Sequence, residues 1–300
     1  MDPWEPPQEG RELPCPRPGH ADLAGALKLL AHDARPVAER ASARSTVALV
    51  AVGAVAKALL GECGVDVVGH VVAIGQEEAS TPLPRDDVRR LREQAEASPV
   101  RCADPDASER MCLAIDEARA SGDSLGGVVE VIATGVPPGL GGYAEEEARL
   151  DGRIAGLVAA IPSVKALSFG DGLEVARERG SRSHDPILYD KERKCFVRPT
   201  NRAGGLEGGV TNGEPVVLRA FLKPIPTLVE PLPSVNLGSK APEKASVERS
   251  DVVAVPAAAV VAEAAVALVL ADAFLERFGG DTLTEMRARY DWYRAALGLL

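Results

Sequence analysis

Three hundred residues suffice for one large domain or two small ones with a sizeable buried core. With 46% hydrophobic and 26% charged residues the chain is neither disordered nor collagen-like, and 4% aromatics leave its core to Ala, Val and Leu. A net charge of −10 speaks against non-specific nucleic-acid binding.

In chain order, Met1 to Pro7 is polar and Pro-rich, reads like the middle of a loop, and lacks the pattern of a signal peptide. Thr46–Leu60 is an Ala/Val-rich run expected to form a buried helix, and the valine-rich stretch Asp66–Ile74 a strand. Asp86–Glu96 and Asp106–Ala120 read as charged amphipathic helices, each opened by an Asp suited to cap it. Gly127–Ala133 is expected as a strand, followed by a Gly/Pro loop from Gly135 to Gly142. Glu145–Ala160 reads as helix, Val164–Phe169 as extended and Leu173–Arg179 as a short helix. A glycine-dense loop, Asn201–Gly213, precedes a strand at Glu214–Leu222. Pro256–Phe278 is expected as a long buried helix with Pro in its first turn, and Asp281–Leu297 as a terminal amphipathic helix.

The apolar run Val252–Ala271 is long enough to span a bilayer, but Pro256, Glu263 and its Ala/Val content favour a buried helix of a soluble protein. The five cysteines, Cys15, Cys63, Cys102, Cys112 and Cys195, form no CxxC and no zinc-ligand spacing with a histidine, which points to a reducing cytoplasm. No GxGxxG follows a strand, and strands and helices do not alternate as in a Rossmann or barrel chain. The fold class is α+β, with long central helices sandwiched between antiparallel β-sheets. No linker divides the chain, so residues 1–300 read as a single domain, with 1–14 loop-like.

Two basic islands interrupt the acidic total. Arg11 to Arg44 holds six Lys/Arg against four Asp/Glu, and Arg198 to Lys223 holds four against two. Positive charge gathered beside glycine loops suits small anions, because loop N–H groups cradle phosphates and Arg binds them bidentately. The plainer reading of any single one of these arginines is a surface ion pair. His20, on a Pro-Gly turn beside Arg17, is placed rigidly enough to act as an acid, although a lone His is more often a satisfied polar residue. His32 and His184 read as surface, and His70 as packed in a strand. Asp251, just before an apolar helix, is either its N-terminal cap, the reading that spacing favours, or a carboxylate poised at the helix start.

Taken together, ordered motifs from Arg17 to the C-terminus resemble the bacterial branch of the chorismate synthase family. They are Arg17-Pro18-Gly19-His20-Ala21-Asp22, Glu39-Arg40-Ala41-Ser42-Ala43-Arg44, Val52-Gly53-Ala54-Val55-Ala56-Lys57, Asp123-Ser124-Leu125-Gly126-Gly127-Val128-Val129-Glu130 and Val136-Pro137-Pro138-Gly139-Leu140-Gly141. Gly170-Asp171-Gly172, Asn201-Arg202-Ala203-Gly204-Gly205, Gly208-Gly209, Thr211-Asn212-Gly213, Lys223-Pro224-Ile225-Pro226-Thr227 and Arg249-Ser250-Asp251 complete the series. The resemblance implies a 1,4-anti elimination of phosphate from 5-enolpyruvylshikimate 3-phosphate to give chorismate. Reduced FMN is required although the reaction has no net redox change.

By the resemblance, His20 donates toward the flavin and Asp251 is the carboxylate that assists its N5. Arg40, Ala41, Ser42, Gly208, Lys223, Pro224, Ile225, Pro226, Thr227 and Arg249 match FMN contacts, and Ser163 and Val164 match another such contact loosely. Arg44 matches a position beside the substrate's phosphate or carboxylate. The resemblance further implies a cytoplasmic homotetramer served by a separate, NADP-linked flavin reductase, with no nucleic-acid or membrane partner. The family's opening strand, its Gly-Glu-Ser-His-Gly motif and its arginine-rich loop are not found in this sequence. Ser45, Val253 and Leu29 stand where the family usually has Glu, Cys and an aromatic. Two alternatives stay open: a complete synthase whose opening segment lies upstream, or an inactive, truncated flavin-binding remnant. The 300-residue chain alone is expected to have little activity.

Overall fold

The computed structural model describes residues 12–79, 87–192 and 194–299. In chain order the elements are α1 (Asp22–Leu29), α2 (Arg35–Arg40), α3 (Thr46–Gly61), β1 (Asp66–Ile74), β2 (Glu77–Glu78), α4 (Val88–Ala97) and α5 (Pro105–Ser121). Next come β3 (Gly127–Thr134), α6 (Leu150–Ala159), β4 (Val164–Phe169), α7 (Leu173–Arg177), α8 (Gly180–Ser183), β5 (Leu188–Asp190) and β6 (Cys195–Val197). The last are β7 (Leu206–Glu207), β8 (Val210–Thr211), β9 (Val216–Leu222), β10 (Pro233–Val235), β11 (Pro242–Lys244), α9 (Val255–Phe278) and α10 (Leu283–Leu297). Single 3-10 turns occur at Ala43–Ser45 and Glu146–Ala148. The expected α+β class holds, and the strands at 66–74, 127–133 and 164–169 form where their patterns put them. The Pro-rich start, Arg11 and Asp86 lie outside the described residues.

These residues fall into two compact units. One takes the described parts of Met1–Ser45 with Leu113–Gly126 and Pro224–Ala254; the other takes those of Thr46–Cys112, Gly127–Lys223 and Val255–Leu300.

The second unit is built on a five-stranded antiparallel sheet of order β2-β1-β3-β9-β4. Its central strands are buried on both faces. Val68 packs with Val88 and Leu91 of α4 on one face, whereas Gly69, next along the strand, backs onto Ala259 of α9 on the other. Both faces being covered, β1 reads as an apolar run rather than an alternation. The core on the α9 side is made of small residues, as the low aromatic content requires. Gly53 of α3 sits where a Cβ would fall 2.4 Å from that of Ala264, so the two helices touch nearly backbone to backbone. The scarce aromatics gather instead where α9 meets α10: Phe274, Phe278, Tyr290 and Tyr293 stack in a chain, with the Arg277 guanidinium 4.4 Å above the Tyr293 ring.

Among the described residues no second sheet of more than two strands accompanies this one. That bears on α3, which forms as expected but is not the buried helix its composition announces. Only Gly53, Ala56 and Leu60 are buried, while Val47 and Val55 are 70% and 71% exposed. The helix rests on α9 along one stripe, and no described residue covers its remaining apolar surface. The stretches Arg35–Gly61 and Val255–Phe278 are both apolar enough on composition to cross a membrane, but the second is 78% buried within the protein. The capping expectations also shift. Asp87 caps α4, accepting from Arg90 N–H at 3.0 Å, and Asp104, not Asp106, caps α5 by accepting from the N–H groups of Asp106 and Ala107.

Glu263 is the carboxylate in the middle of apolar α9, and its neighbours account for it. Its Oε2 accepts the Gly69 N–H at 2.7 Å, its Oε1 pairs with the Lys57 ammonium of α3, and Arg101 Nη2 lies 3.7 Å away. One side chain thereby ties α9 to α3, to the sheet and to the loop after α4.

In the first unit, Leu13, Ala26, Ala34 and Leu237 form a small core. The Pro-rich segment before α1 has few N–H donors, so it is held by its carbonyls. Pro14 accepts from Leu237 N–H, Cys15 from Ser246 N–H, and Pro16 from the Ser234 hydroxyl at 2.6 Å.

Removing the Glu263 carboxylate leaves Lys57 and a buried N–H without a partner. Glu263→Ala is therefore expected to lower stability by about 3 kcal/mol, read from the shift in the denaturant midpoint; a change inside measurement error would contradict this account of the polar anchor.

Candidate functional site

In the first unit the site begins with a turn. His20 N–H donates to the Arg17 carbonyl at 3.1 Å, Pro18 occupies the second position and Gly19 the third with φ 79°. This is the pattern of a type II turn, which needs glycine where φ is positive. The turn folds His20 back beside Arg17 and delivers the chain into α1, whose first residue, Asp22, is fully buried.

The Asp22 carboxylate collects donors. Arg17 reaches it with Nε at 2.7 Å, Nη2 at 3.0 Å and its backbone N–H at 3.1 Å, and His20 Nδ1 makes a further short contact. Burial by itself raises such a carboxyl, but the hydrogen bonds from His20 and Arg17 outweigh it and hold Asp22 well below the usual carboxylate range. The remaining Arg17 nitrogen, Nη1, donates to Thr227 Oγ1 at 3.1 Å. Arg17 thus reaches Thr227 across 210 residues of sequence while sharing the Asp22 carboxylate with His20. His20 lies on a groove of about 620 Å³ whose walls include Leu23, Leu27 and Val235.

Two further segments of this unit meet at Ser124 and Leu125. The Ser124 hydroxyl donates to the Ile225 carbonyl at 2.6 Å, and Leu125 N–H donates to the Val252 carbonyl at 2.9 Å. Pro224–Thr227 and the stretch after Asp251 are thereby fastened to neighbouring residues. Asp251 is exposed; α9 starts four residues later, at Val255, so the side chain is not that helix's cap. Pro256 is the reason: the residue before a proline is biased out of the helical region, and the chain turns helical only around the proline itself. Arg35 of α2 pairs with Glu248 at 2.6 Å, bringing α2 beside the segment that carries Arg249. Ala41 and Ser42 are half-buried at the end of α2. Arg40, Arg44 and Arg249 are exposed, and none of them is in an ion pair among the described residues.

The second unit places Ser163, Val164 and Lys223 at one end of the β4–β9 pair and Gly208 in the turn between β7 and β8. Val164 lies opposite Leu222, and Lys223 N–H donates to the Ser163 carbonyl at 2.9 Å. Ser163 has φ 75°, a left-handed conformation costly for a residue with a Cβ. Burial pushes the Lys223 ammonium down, and the nearby Lys165 charge pushes it the same way. Gly208 and Gly209 turn β7 into β8 with φ 60° and 88°, as a two-residue hairpin turn demands. No atom lies within 4 Å of where a Gly208 Cβ would sit, so the backbone there is open to approach. The other charges of the second basic island are spoken for. Arg198 pairs with Glu207, Arg202 with Asp171 and Arg219 with Glu130, at 2.8, 3.5 and 2.8 Å.

Each unit therefore carries part of the predicted set. Three arginines without an ion pair among the described residues in one, and two mutually repelling lysines in the other, fit a ligand bearing phosphate. Arg17, Asp22 and Ser124 were not assigned roles from the sequence. Their only signal was their place inside motifs, with Asp22 five residues after Arg17.

Asp22 has a lower pKa folded than the ordinary carboxylate value of about 3.9, so its contribution is fully present above that pH and fades as the solution is acidified further. Asp22→Asn is expected to lower stability at neutral pH by about 3 kcal/mol and to flatten the acid limb of the stability curve. Urea midpoints between about pH 2 and 7 check both; an unchanged acid limb would contradict the assignment.

A family profile described as chorismate synthase matches residues 4–275. A chorismate synthase of Moorella thermoacetica is 54% identical over 297 residues, covering 99% of this chain and 76% of that protein. One from Bacillus subtilis is 50% identical over 279 residues, covering 92% and 70%. A crystal structure of chorismate synthase superposes with a TM-score of 0.80 at 41% identity, over 93% of this chain and 77% of the other. With half or more of its residues identical across nearly its whole length, and with the same fold, the chain belongs to the chorismate synthase family of lyases.

Proposed function

We propose that the protein makes chorismate from 5-enolpyruvylshikimate 3-phosphate by 1,4-anti elimination of phosphate and a ring hydrogen, with reduced FMN held in the site. The observation that carries this reading is the Arg17 bridge. His20 and Thr227, two positions matched to the family's flavin site, both depend on this buried side chain: Thr227 accepts from Arg17 Nη1, and His20 shares the Asp22 carboxylate that Arg17 holds.

The residues present suit the flavin. Lys223, with Lys165 beside it, would neutralise a phosphate, and Gly208, where the backbone is open to approach, would be a further contact. Arg40, Ala41, Ser42, Ser163, Val164, Pro224–Thr227 and Arg249 are the other positions matched to flavin contacts. Reduced FMN, when bound, supplies electron density to the reacting ring and takes it back, which is why no net oxidation results. The protein's own part is electrostatic and positional. Arg44 would hold a substrate anion, His20 would carry a proton on the flavin side, and the exposed Asp251 would be the carboxylate that accepts one. The working protein is a cytoplasmic homotetramer, served by a separate flavin reductase and without nucleic-acid or membrane partners.

Anaerobic titration with reduced FMN tests the reading. Saturable binding is expected, weakened on the order of tenfold or more by Lys223→Ala, the loss of one charge-assisted phosphate contact. In the presence of the enolpyruvyl substrate, chorismate and phosphate should form in equal amounts, slowly from the 300-residue chain alone, with the flavin still reduced at the end, and His20→Ala should slow this further while leaving flavin bound. A chain that binds no reduced flavin would overturn the assignment.

A further inference from the structure

An imidazole exchanges protons at whichever nitrogen its surroundings leave available, and the partner of the other nitrogen decides which one that is. His20 Nδ1 faces Asp22 Oδ1 in a short contact and Arg17 Nη2 at 3.1 Å. The guanidinium has only donors and the ionised carboxylate only acceptors. An Nδ1 without its proton would set a lone pair against Oδ1, so the close approach requires Nδ1–H pointing at Asp22. Asp22 cannot turn away, because Arg17 Nε and the Arg17 backbone N–H hold Oδ2 while Nη2 holds Oδ1, and the carboxylate is fully buried. Arg17 is fixed in turn by Thr227. Among the residues lining the groove, Arg17 and His20 are the only titratable ones; the rest include Leu23, Leu27, Ser234 and Val235.

We propose that Asp22 is a positioning residue for His20, keeping a proton on Nδ1 in both charge states so that every proton His20 gives or takes passes through Nε2. The proposal rests on the reading of His20 as the proton carrier of the site. The proton count is closed. The imidazolium carries Nδ1–H and Nε2–H; giving up the second leaves the neutral Nδ1–H form with a lone pair on Nε2, which takes a proton back at the next turnover. Asp22 stays ionised throughout, and Arg17 is what holds it so.

The test is the tautomer of neutral His20, read from two-bond proton–nitrogen couplings in the 15N-labelled 300-residue chain. With four histidines in the sequence, the His20 signals are identified by their loss in His20→Gln. The expected result is Nδ1–H. Finding Nε2–H in the wild type would overturn the proposal. Asp22→Asn offers a single acceptor oxygen, for which Arg17 competes, so the signals should move toward Nε2–H; a folded Asp22→Asn protein with an unchanged tautomer would also overturn it. If that variant does not fold, the wild-type spectrum decides. Reduced FMN added anaerobically to the same samples keeps the two readings apart. Absence of flavin binding with Nδ1–H in place defeats the proposed function alone, and binding with Nε2–H defeats the positioning role alone.

Discussion

The ion pair between Arg17 and Asp22 is the contact on which the first unit is organised. Both side chains are out of water, and a charge in that position is tolerated only when its partner and its remaining hydrogen bonds are in place. Asp22 is therefore satisfied entirely by Arg17 and His20, and the remaining Arg17 nitrogen donates to Thr227. Three segments distant in sequence or direction, the turn, the start of α1 and the Pro224–Thr227 stretch, share one small electrostatic knot. Such a knot orients an imidazole more rigidly than packing alone, because moving any member exposes a buried charge.

The second unit solves a different problem. A chain with few aromatics must fill its interior with small side chains, and small side chains pack well only when backbones approach closely. α9 does this against Gly53 of α3 and against the sheet at Gly69. The same closeness brings the Gly69 N–H within reach of Glu263, so a carboxylate that looks misplaced in an apolar helix becomes the group that fixes three elements together. At one end of the sheet the β4–β9 pairing brings Ser163 and Lys223 side by side, which supplies a cation on a rigid strand end rather than on a loop.

Charge is distributed with some economy. The chain is acidic overall, and most of the arginines in its second basic island are neutralised by nearby carboxylates, so that island is largely structural. The first keeps Arg40 and Arg44 exposed and without an ion pair among the described residues, with Arg249 alike in the segment beside α2. An unpaired guanidinium retains its full capacity for a phosphate or carboxylate. That difference between two islands of equal net charge is invisible to a residue count.

Local pattern was enough to locate the main strands and helices, the Pro-Gly turn at His20 and the glycine turn at Gly208, since φ preferences and hydrophobic periodicity act within a few residues. The family was likewise legible, because its motifs are short and contiguous. Other features depended on tertiary structure. α3 has the composition of a buried helix, yet burial is a property of what lies opposite, and nothing in its own residues specifies that. Asp251 has the spacing of a cap, but the helix start is set by Pro256 and by the pairing of the preceding segment with Leu125. Glu263 gained its meaning from a backbone N–H 194 residues away, and Asp22 gained its own from a turn that folds Arg17 and His20 onto one carboxylate. The sequence by itself determined which elements form and which residue types are available to bind an anion. Only the tertiary structure decided which charges are cancelled, which stay free, and which nitrogen of His20 is held, because electrostatic partnership is settled by distance in space and not along the chain.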